Sequence, residues 1–196
     1  IYRLSNYFKK KTLDRASSVI TISETMKNTL VDKIKDASKI KVIYNFAISE
    51  YKDKVQEEVV RTKLNIKSDK FNVIYAGNIG YVQDLDVLLR AAELTKDNSY
   101  IHYHIVGEGS QALRIEQKIS DLKLEYVYFH PMQKVEDAVY LYHLASVNLI
   151  SILPGVIKTA LPLKVASCLA ARRPIVFIGL EEEIQEKWIN KHIIKI

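Results

Sequence analysis

Three short stretches carry residue types that could hold an anionic or flat ligand. The first is Tyr75-Ala76-Gly77-Asn78-Ile79-Gly80, an apolar run giving way to two glycines, followed by Gln83 and a segment that predicts a helix from Asp84. A strand turning through glycine into a helix aims free N–H groups and the positive end of a dipole at an anion, so this turn is a candidate phosphate seat. Its spacing lacks the third glycine of the dinucleotide fingerprint, and no Walker Gly-Lys-Ser/Thr is present. A structural turn fits as well. The second stretch, Thr159-Ala160-Leu161-Pro162-Leu163-Lys164, enters a helix holding Ser167 and Cys168. Proline in a first helical turn leaves N–H groups free, and Lys164 could add charge to them; an ordinary exposed lysine is the plainer alternative. The third is His130-Pro131-Met132, whose backbone could read the edge of a flat base, or simply punctuate a loop.

The remaining reactive residues do not assemble. His102 and His104 are two apart in a predicted strand and share a face, but no third metal ligand accompanies them. His143 and His192 fall on separate segments, and Cys168 has no neighbouring base. Glu181-Glu182-Glu183 reads as an acidic first helical turn. No metal site is expected.

The elements that must position these loops alternate along the chain. Apolar runs at 71–76, 101–106, 126–129, 147–152 and 174–178 predict strands. Helical periodicity appears at 84–96, 110–123, 134–145, 161–171 and 181–190. Strand–helix alternation with runs apolar on consecutive positions predicts an α/β fold, a Rossmann-like parallel sheet with helices on both faces. All six glycines (Gly77, Gly80, Gly107, Gly109, Gly155 and Gly179) follow strands, at the edge where such sheets place a ligand crevice. Earlier, 18–22 and 40–44 read as strands, Ser23 as the cap of a helix reaching about Lys35, and 55–63 as a helix. A boundary is placed in the mixed-charge stretch between, with residues 1–46 in one unit and 47–196 in the next.

The 196 residues carry a net charge of +6, concentrated at the start: residues 1–41 hold ten Lys/Arg against four acids, the rest nineteen of each. Arg3 to Arg15, with Tyr7, Phe8 and Lys9-Lys10-Lys11, could contact anionic lipid, each cation adding about 1 kcal/mol; a solvated helix end is the favoured reading. No nucleic-acid-binding motif accompanies the charge. No apolar run is long enough to span a membrane, and a single cysteine suits a reducing compartment. A cytoplasmic protein is expected, held at the inner face of the membrane if the basic segment engages it. The first residue is not Met, and the chain reads as part of a longer polypeptide.

Taken in order, Leu13-Asp14-Arg15-Ala16 through Ile22-Ser23-Glu24, then Ile40-Lys41-Val42-Ile43-Tyr44-Asn45, then the Gly77 turn, resemble glycosyltransferase family four. Ile105-Val106-Gly107-Glu108-Gly109, Val135 to Tyr142, and Leu161-Pro162-Leu163-Lys164 through Pro174-Ile175-Val176 continue the match, over about residues 12–180. The resemblance implies the carboxyl-terminal, donor-binding half of a two-domain GT-B enzyme. It implies transfer with retention from a UDP- or GDP-sugar, without metal or other cofactor, to a glycan or lipid-linked acceptor, in bacterial capsule, lipopolysaccharide or exopolysaccharide synthesis. Catalytic groups are expected in an amino-terminal domain whose tail is residues 1–46.

By the same resemblance, Gly77–Gly80 and the helix opening at Pro162 would seat the diphosphate, with Leu163 and Lys164 beside it. Residues 130–132 would receive the base, Ser167 the ribose, and Lys158 with Thr159 the sugar or its phosphate. The sequence departs from the family pattern where Asn78 and Gln83 replace two cations and where Thr159 and Ser167 replace two glutamates. Neutral amides can still donate hydrogen bonds, but a hydroxyl cannot supply the charge-assisted bond a carboxylate makes. A non-catalytic module partnering an active transferase is the alternative, and an NAD-linked oxidoreductase ranks below both.

Overall fold

The structure is a computed structural model that describes residues 2–47, 51, 53–156, 161–179 and 194–195. Its first part contains α1 (Tyr2–Arg15), β1 (Val19–Thr21), α2 (Glu24–Val31) and β2 (Ile40–Val42). Ser23 starts α2 as its sequence position predicts: its backbone is extended and its hydroxyl accepts from the Met26 N–H at 3.0 Å. The helix stops at Val31, short of the expected Lys35, because the chain turns at Asp32 and the Lys35 N–H donates to the Asp14 carboxylate at 2.8 Å. β1 and β2 then pair in parallel, Val19 opposite Ile40.

The rest comprises α3 (Lys54–Lys63), β3 (Phe71–Ala76), a 3-10 turn (Tyr81–Gln83), α4 (Asp86–Leu94), β4 (Ile101–Val106), α5 (Ala112–Asp121), β5 (Val127–His130), α6 (Val135–Leu144), β6 (Val147–Ser151), α7 (Lys164–Ala170), β7 (Ile175–Ile178) and β8 (Ile194–Lys195). Six strands form one parallel sheet in the order β5-β4-β3-β6-β7-β8. Strand order reverses between β3 and β6, so the loops leaving these two strands flank a topological switch point, where sheets of this kind bind ligands. The expected α/β parallel sheet is present, with β8 added beyond the predicted strands. The helix expected at 181–190 lies outside the described residues.

Both sheet faces are covered, which is why the strand runs are apolar on consecutive positions. Tyr75, Tyr103, Ile105, Val127 and Leu149 pack under Leu88, Leu89 and Ala92 of α4 and Ile115 of α5. On the other face Ile74, Ala76 and Val106 meet Val60 of α3 and Tyr140, Leu141 and Leu144 of α6. Farther along, Ile150, Ile175 and Phe177 meet Val165 and Cys168 of α7, and Ile22 packs on this cluster, tying the β1–β2 unit to the sheet. The strands also bury Asn72, His102, His104 and Asn148, each 5% exposed or less.

Two boundaries shift in ways that bear on the site. The helix after the glycine turn begins at Asp86 rather than Asp84, because Asp84 is left-handed (φ 42°) and closes the 3-10 turn. β5 runs one residue later than expected, because His130 continues the ladder opposite Val106 and its carbonyl accepts from the Gly107 N–H at 3.0 Å. His130 is therefore the last residue of a strand, and only Pro131 and Met132 belong to the loop.

Candidate functional site

Most of the N–H groups expected to face an anion in the Gly77 turn are used to build it. The Gly77 N–H donates to Val106 O at 2.9 Å, Ile79 N–H to Glu108 O at 2.7 Å, and Gly80 N–H to the Gln83 side-chain oxygen at 3.1 Å. Only the Asn78 N–H of these four makes no such bond among the described residues. Ile79 is buried, and its carbonyl accepts from Gln111 N–H at 2.9 Å, so it fastens two loops together and offers no free polar atom. This closeness explains the glycines opposite: a β-carbon on residue 107 would lie 1.9 Å from Gly77 O, and one on residue 109 would lie 2.3 Å from Ile79 O. The exposed Asn78 amide donates to Gln83 Oε1 at 3.3 Å, which leaves the Gln83 amide N–H groups and the second Asn78 N–H as neutral donors.

The charge at this turn comes from α7. The Lys164 ammonium nitrogen is sealed from solvent and has no hydrogen-bond partner among the described residues. It lies 3.1 Å from where a β-carbon on residue 77 would stand, so Gly77, at φ 140°, leaves room for it. Beneath it is the ring of Tyr75, 3.6 Å from nitrogen to centroid, and the Tyr75 hydroxyl donates to Asn78 O at 2.6 Å. Burial pushes the Lys164 pKa down to about 7, against the opposing effect of Cys168 nearby. Strand β3, the glycine turn and α7 thus place a desolvated, unpaired cation at the switch point. Charge in such a position is costly and invites an anion. Sequence reasoning singled out Lys164 and missed Tyr75, whose signal was its place two residues before the glycine.

The second helix start is less open than expected. α7 begins at Lys164, with Pro162 and Leu163 in a turn before it, and the Val165 and Ala166 N–H groups donate to Pro162 O and Leu163 O at 3.1 and 3.3 Å. These N–H groups are not free to bind an anion. Pro162 and Leu163 instead line a cavity of about 230 Å³ with Val165, Ala166, Tyr44 and Asn45, which brings the segment after β2 against α7. Ser167 lies half-buried one turn into the helix. Lys158 and Thr159 lie outside the described residues.

Near the end of β5 a buried polar chain crosses the sheet. The Asn72 amide nitrogen donates to Lys67 O at 2.8 Å and Lys70 O at 3.0 Å, and its oxygen lies 3.2 Å from His104 Nε2. His104 Nδ1 lies 3.2 Å from His130 Nε2, and the two rings stack at 11° with centroids 5.5 Å apart. Burial, with His130 and His102 adding smaller effects, pushes the His104 pKa down to about 3; burial also lowers that of His130. His102 stacks on Tyr126 at 8°. The shared face predicted for His102 and His104 is present, but it is an aromatic layer with both His104 nitrogens engaged. Pro131 O accepts from Gln133, and Met132 is exposed. The partnership of His130 with His104 was not legible, because a loop assignment hid its strand register.

A parallel sheet whose strand order reverses beside a glycine turn makes this a Rossmann-like domain. The sequence pattern of the Glycosyl transferases group 1 family matches residues 70–194, and the chain belongs to that family. It is 27% identical over 173 residues to the putative colanic acid biosynthesis glycosyl transferase WcaI of Escherichia coli (strain K12), covering 87% of this chain and 42% of that protein. Among solved structures it is similar to WaaG, a glycosyltransferase involved in lipopolysaccharide biosynthesis, with TM-score 0.78, 13% identity, and 99% of this chain and 54% of that one covered. It is also similar to Anabaena Alr3699/HepE in complex with UDP-glucose, with TM-score 0.70, 19% identity, and coverage of 91% and 49%. The chain spans about half the length of these relatives or less.

Proposed function

We infer that this chain is the donor-binding domain of a retaining glycosyltransferase that uses a UDP- or GDP-sugar in surface polysaccharide synthesis. The observation that carries the reading is the sealed Lys164 ammonium, unpartnered among the described residues, facing Gly77 at the switch point. A diphosphate supplies the charge that this nitrogen lacks, and the Asn78 N–H with the Asn78 and Gln83 amides supplies hydrogen bonds. Holding the leaving diphosphate is the electrostatic task that dominates group transfer of this kind. Residues 130–132 take the base and Ser167 the ribose; Lys158 and Thr159 are assigned to the sugar. Residues 1–46 are the tail of a preceding domain that supplies the acceptor pocket for a glycan or lipid-linked substrate, and the reaction needs no metal or other cofactor.

Among the described residues no helix is long and apolar enough to cross a membrane. α1 exposes Leu4, Tyr7 and Phe8 alongside Lys9, Lys10 and Lys11, a composition that suits contact with anionic lipid at the cytoplasmic face. Co-sedimentation with phosphatidylglycerol but not phosphatidylcholine vesicles is the expected result; equal recovery with both sinks the lipid reading.

The donor site is tested by calorimetric titration of the chain with UDP, GDP and NAD, beside an Asn78→Asp variant. Saturable binding of UDP or GDP but not NAD, weakened by the added negative charge, is expected. No binding by a folded chain removes the donor-site reading and favours a non-catalytic partner module, which the serine at position 167 would suit.

A further inference from the structure

The hydrogen-bond chain through the sheet fixes the protons on two histidines. Asn72 has both amide directions determined, because its nitrogen donates to two backbone carbonyls, Lys67 O and Lys70 O. Its oxygen can only accept, so the hydrogen bond at 3.2 Å requires the proton on His104 Nε2. A neutral imidazole carries one N–H, so His104 Nδ1 is a lone-pair acceptor. The bond at 3.2 Å to His130 therefore requires the proton on His130 Nε2. His130 Nδ1 is left bearing a lone pair; it makes no hydrogen bond among the described residues and is not among their buried unpartnered atoms. Buried, neutral His104 and lowered His130 basicity keep both rings in this state near neutral pH.

The ring that carries this lone pair stands at the carboxyl end of β5. His130 is opposite Val106, and Val106 opposite Ala76, which precedes Gly77. Two strand spacings, about 10 Å, thus separate His130 from the glycine turn that Lys164 reaches. That separation matches the reach from a nucleobase to its second phosphate.

We propose that His130 Nδ1 accepts a hydrogen bond from a ring N–H of the donor's base, with Asn72 and His104 acting as positioning residues that hold its proton on the far nitrogen. The inference rests on the donor-site reading and adds the chemical rule by which that site selects its base. Uracil and guanine carry a ring N–H at their pairing edge. Cytosine and adenine carry a lone pair there, which would face the lone pair of His130. Selection against an unpaired buried group amounts to about tenfold or more.

The test compares UDP with CDP, which differ at this edge alone, by calorimetry at pH 7.5 on the whole chain and on His130→Phe. The parent chain is expected to bind UDP about tenfold more tightly than CDP, and the variant to bring UDP down to the affinity of CDP. Nitrogen-15 imidazole spectra report the proton positions without any ligand: His104 and His130 should both appear as Nε2–H tautomers, in the parent and, for His104, in the variant. Equal binding of UDP and CDP by the parent, a preference that survives in His130→Phe, or an Nδ1–H tautomer at His130 overturns the proposal. Where GDP binds in place of UDP, GDP against ADP makes the same comparison; absence of binding by UDP, CDP and GDP alike overturns the donor-site reading itself, and this inference with it.

Discussion

The ammonium nitrogen of Lys164 stands 3.6 Å above the ring centre of Tyr75, on a side chain that reaches from the first residue of α7 across to the end of β3. A desolvated cation over an aromatic face gains about 2 kcal/mol, less than the hydration it has lost, so its pKa falls to about 7. A diphosphate at the turn would restore the missing charge.

Nucleotide binding should therefore take up a proton. At pH 8 the free chain holds Lys164 mostly neutral, and the bound chain holds it charged. Titration with UDP in buffers of different ionisation enthalpy should give net proton uptake that is largest above pH 7 and fades below it. Lys164→Met should abolish the uptake and weaken binding by about tenfold or more, the loss expected for a charge-assisted contact. Uptake that persists in the variant would remove Lys164 from the site.

The same group sets a pH dependence of stability. Its folded pKa of about 7 lies below the ordinary 10.5, so between these values the unfolded chain binds more protons and stability rises with pH. The Cys168 thiol acts in the opposite sense above its ordinary 9.0, since burial pushes it up to about 12 in the folded chain. The Lys164 contribution is thus read between pH 7 and 9. Urea midpoints should climb across that window in the parent chain and stay flat in Lys164→Met, which should also be the more stable protein at pH 7. A flat parent profile would contradict the burial of this ammonium.

Two glycines near the turn should behave oppositely on substitution. At Gly107 an added methyl would meet the Gly77 carbonyl at 1.9 Å, backbone against backbone, so Gly107→Ala should cost about 3 kcal/mol or more in urea unfolding. At Gly80 it would meet the ends of Asn78 and Gln83, both at 2.8 Å, which can swing away. Gly80→Ala should change stability by less than about 1 kcal/mol yet weaken UDP binding, because the displaced amides are the neutral donors of the site. Equal destabilisation by both substitutions would refute the packing of the loops.

The sheet was legible because burial on both faces leaves a plain mark: Phe71–Ala76 and Ile101–Val106 are apolar on consecutive positions and end in glycine. Strand order was not, since nothing within β3 or β6 says that they are neighbours. The glycine turn was found by type but misread in use, because the spacing of Gly77 and Gly80 cannot show that their N–H groups are taken by Val106 and by Gln83. Lys164 was visible as a charge, whereas its burial depends on Tyr75, some ninety residues earlier in the chain. Of the polar residues inside strands, His102 and His104 were weighed only as metal ligands and Asn72 was passed over. Asn72, His104 and His130 come from three strands, and only the parallel register shows that they lie on one face.

That shared face makes a prediction about coupling. Asn72→Ala removes one hydrogen bond each from Lys67 O, Lys70 O and the His104 N–H, and a buried group left unpaired costs about 1–3 kcal/mol. Lys67 and Lys70 lie in the turn before β3, where their carbonyls can recover water, but His104, at 0% exposure, cannot. In a chain already carrying His104→Phe there is no imidazole to strand, so removing Asn72 should cost less there. A double-mutant cycle on urea unfolding should give a coupling energy of about 1–2 kcal/mol between the two positions. His104→Phe paired instead with an alanine at Asp86, on the opposite face in an ion pair with Arg114 and Lys118, should be additive. Additivity in the first cycle would mean that Asn72 serves only the Lys67–Lys70 turn and that His104 holds its proton without it.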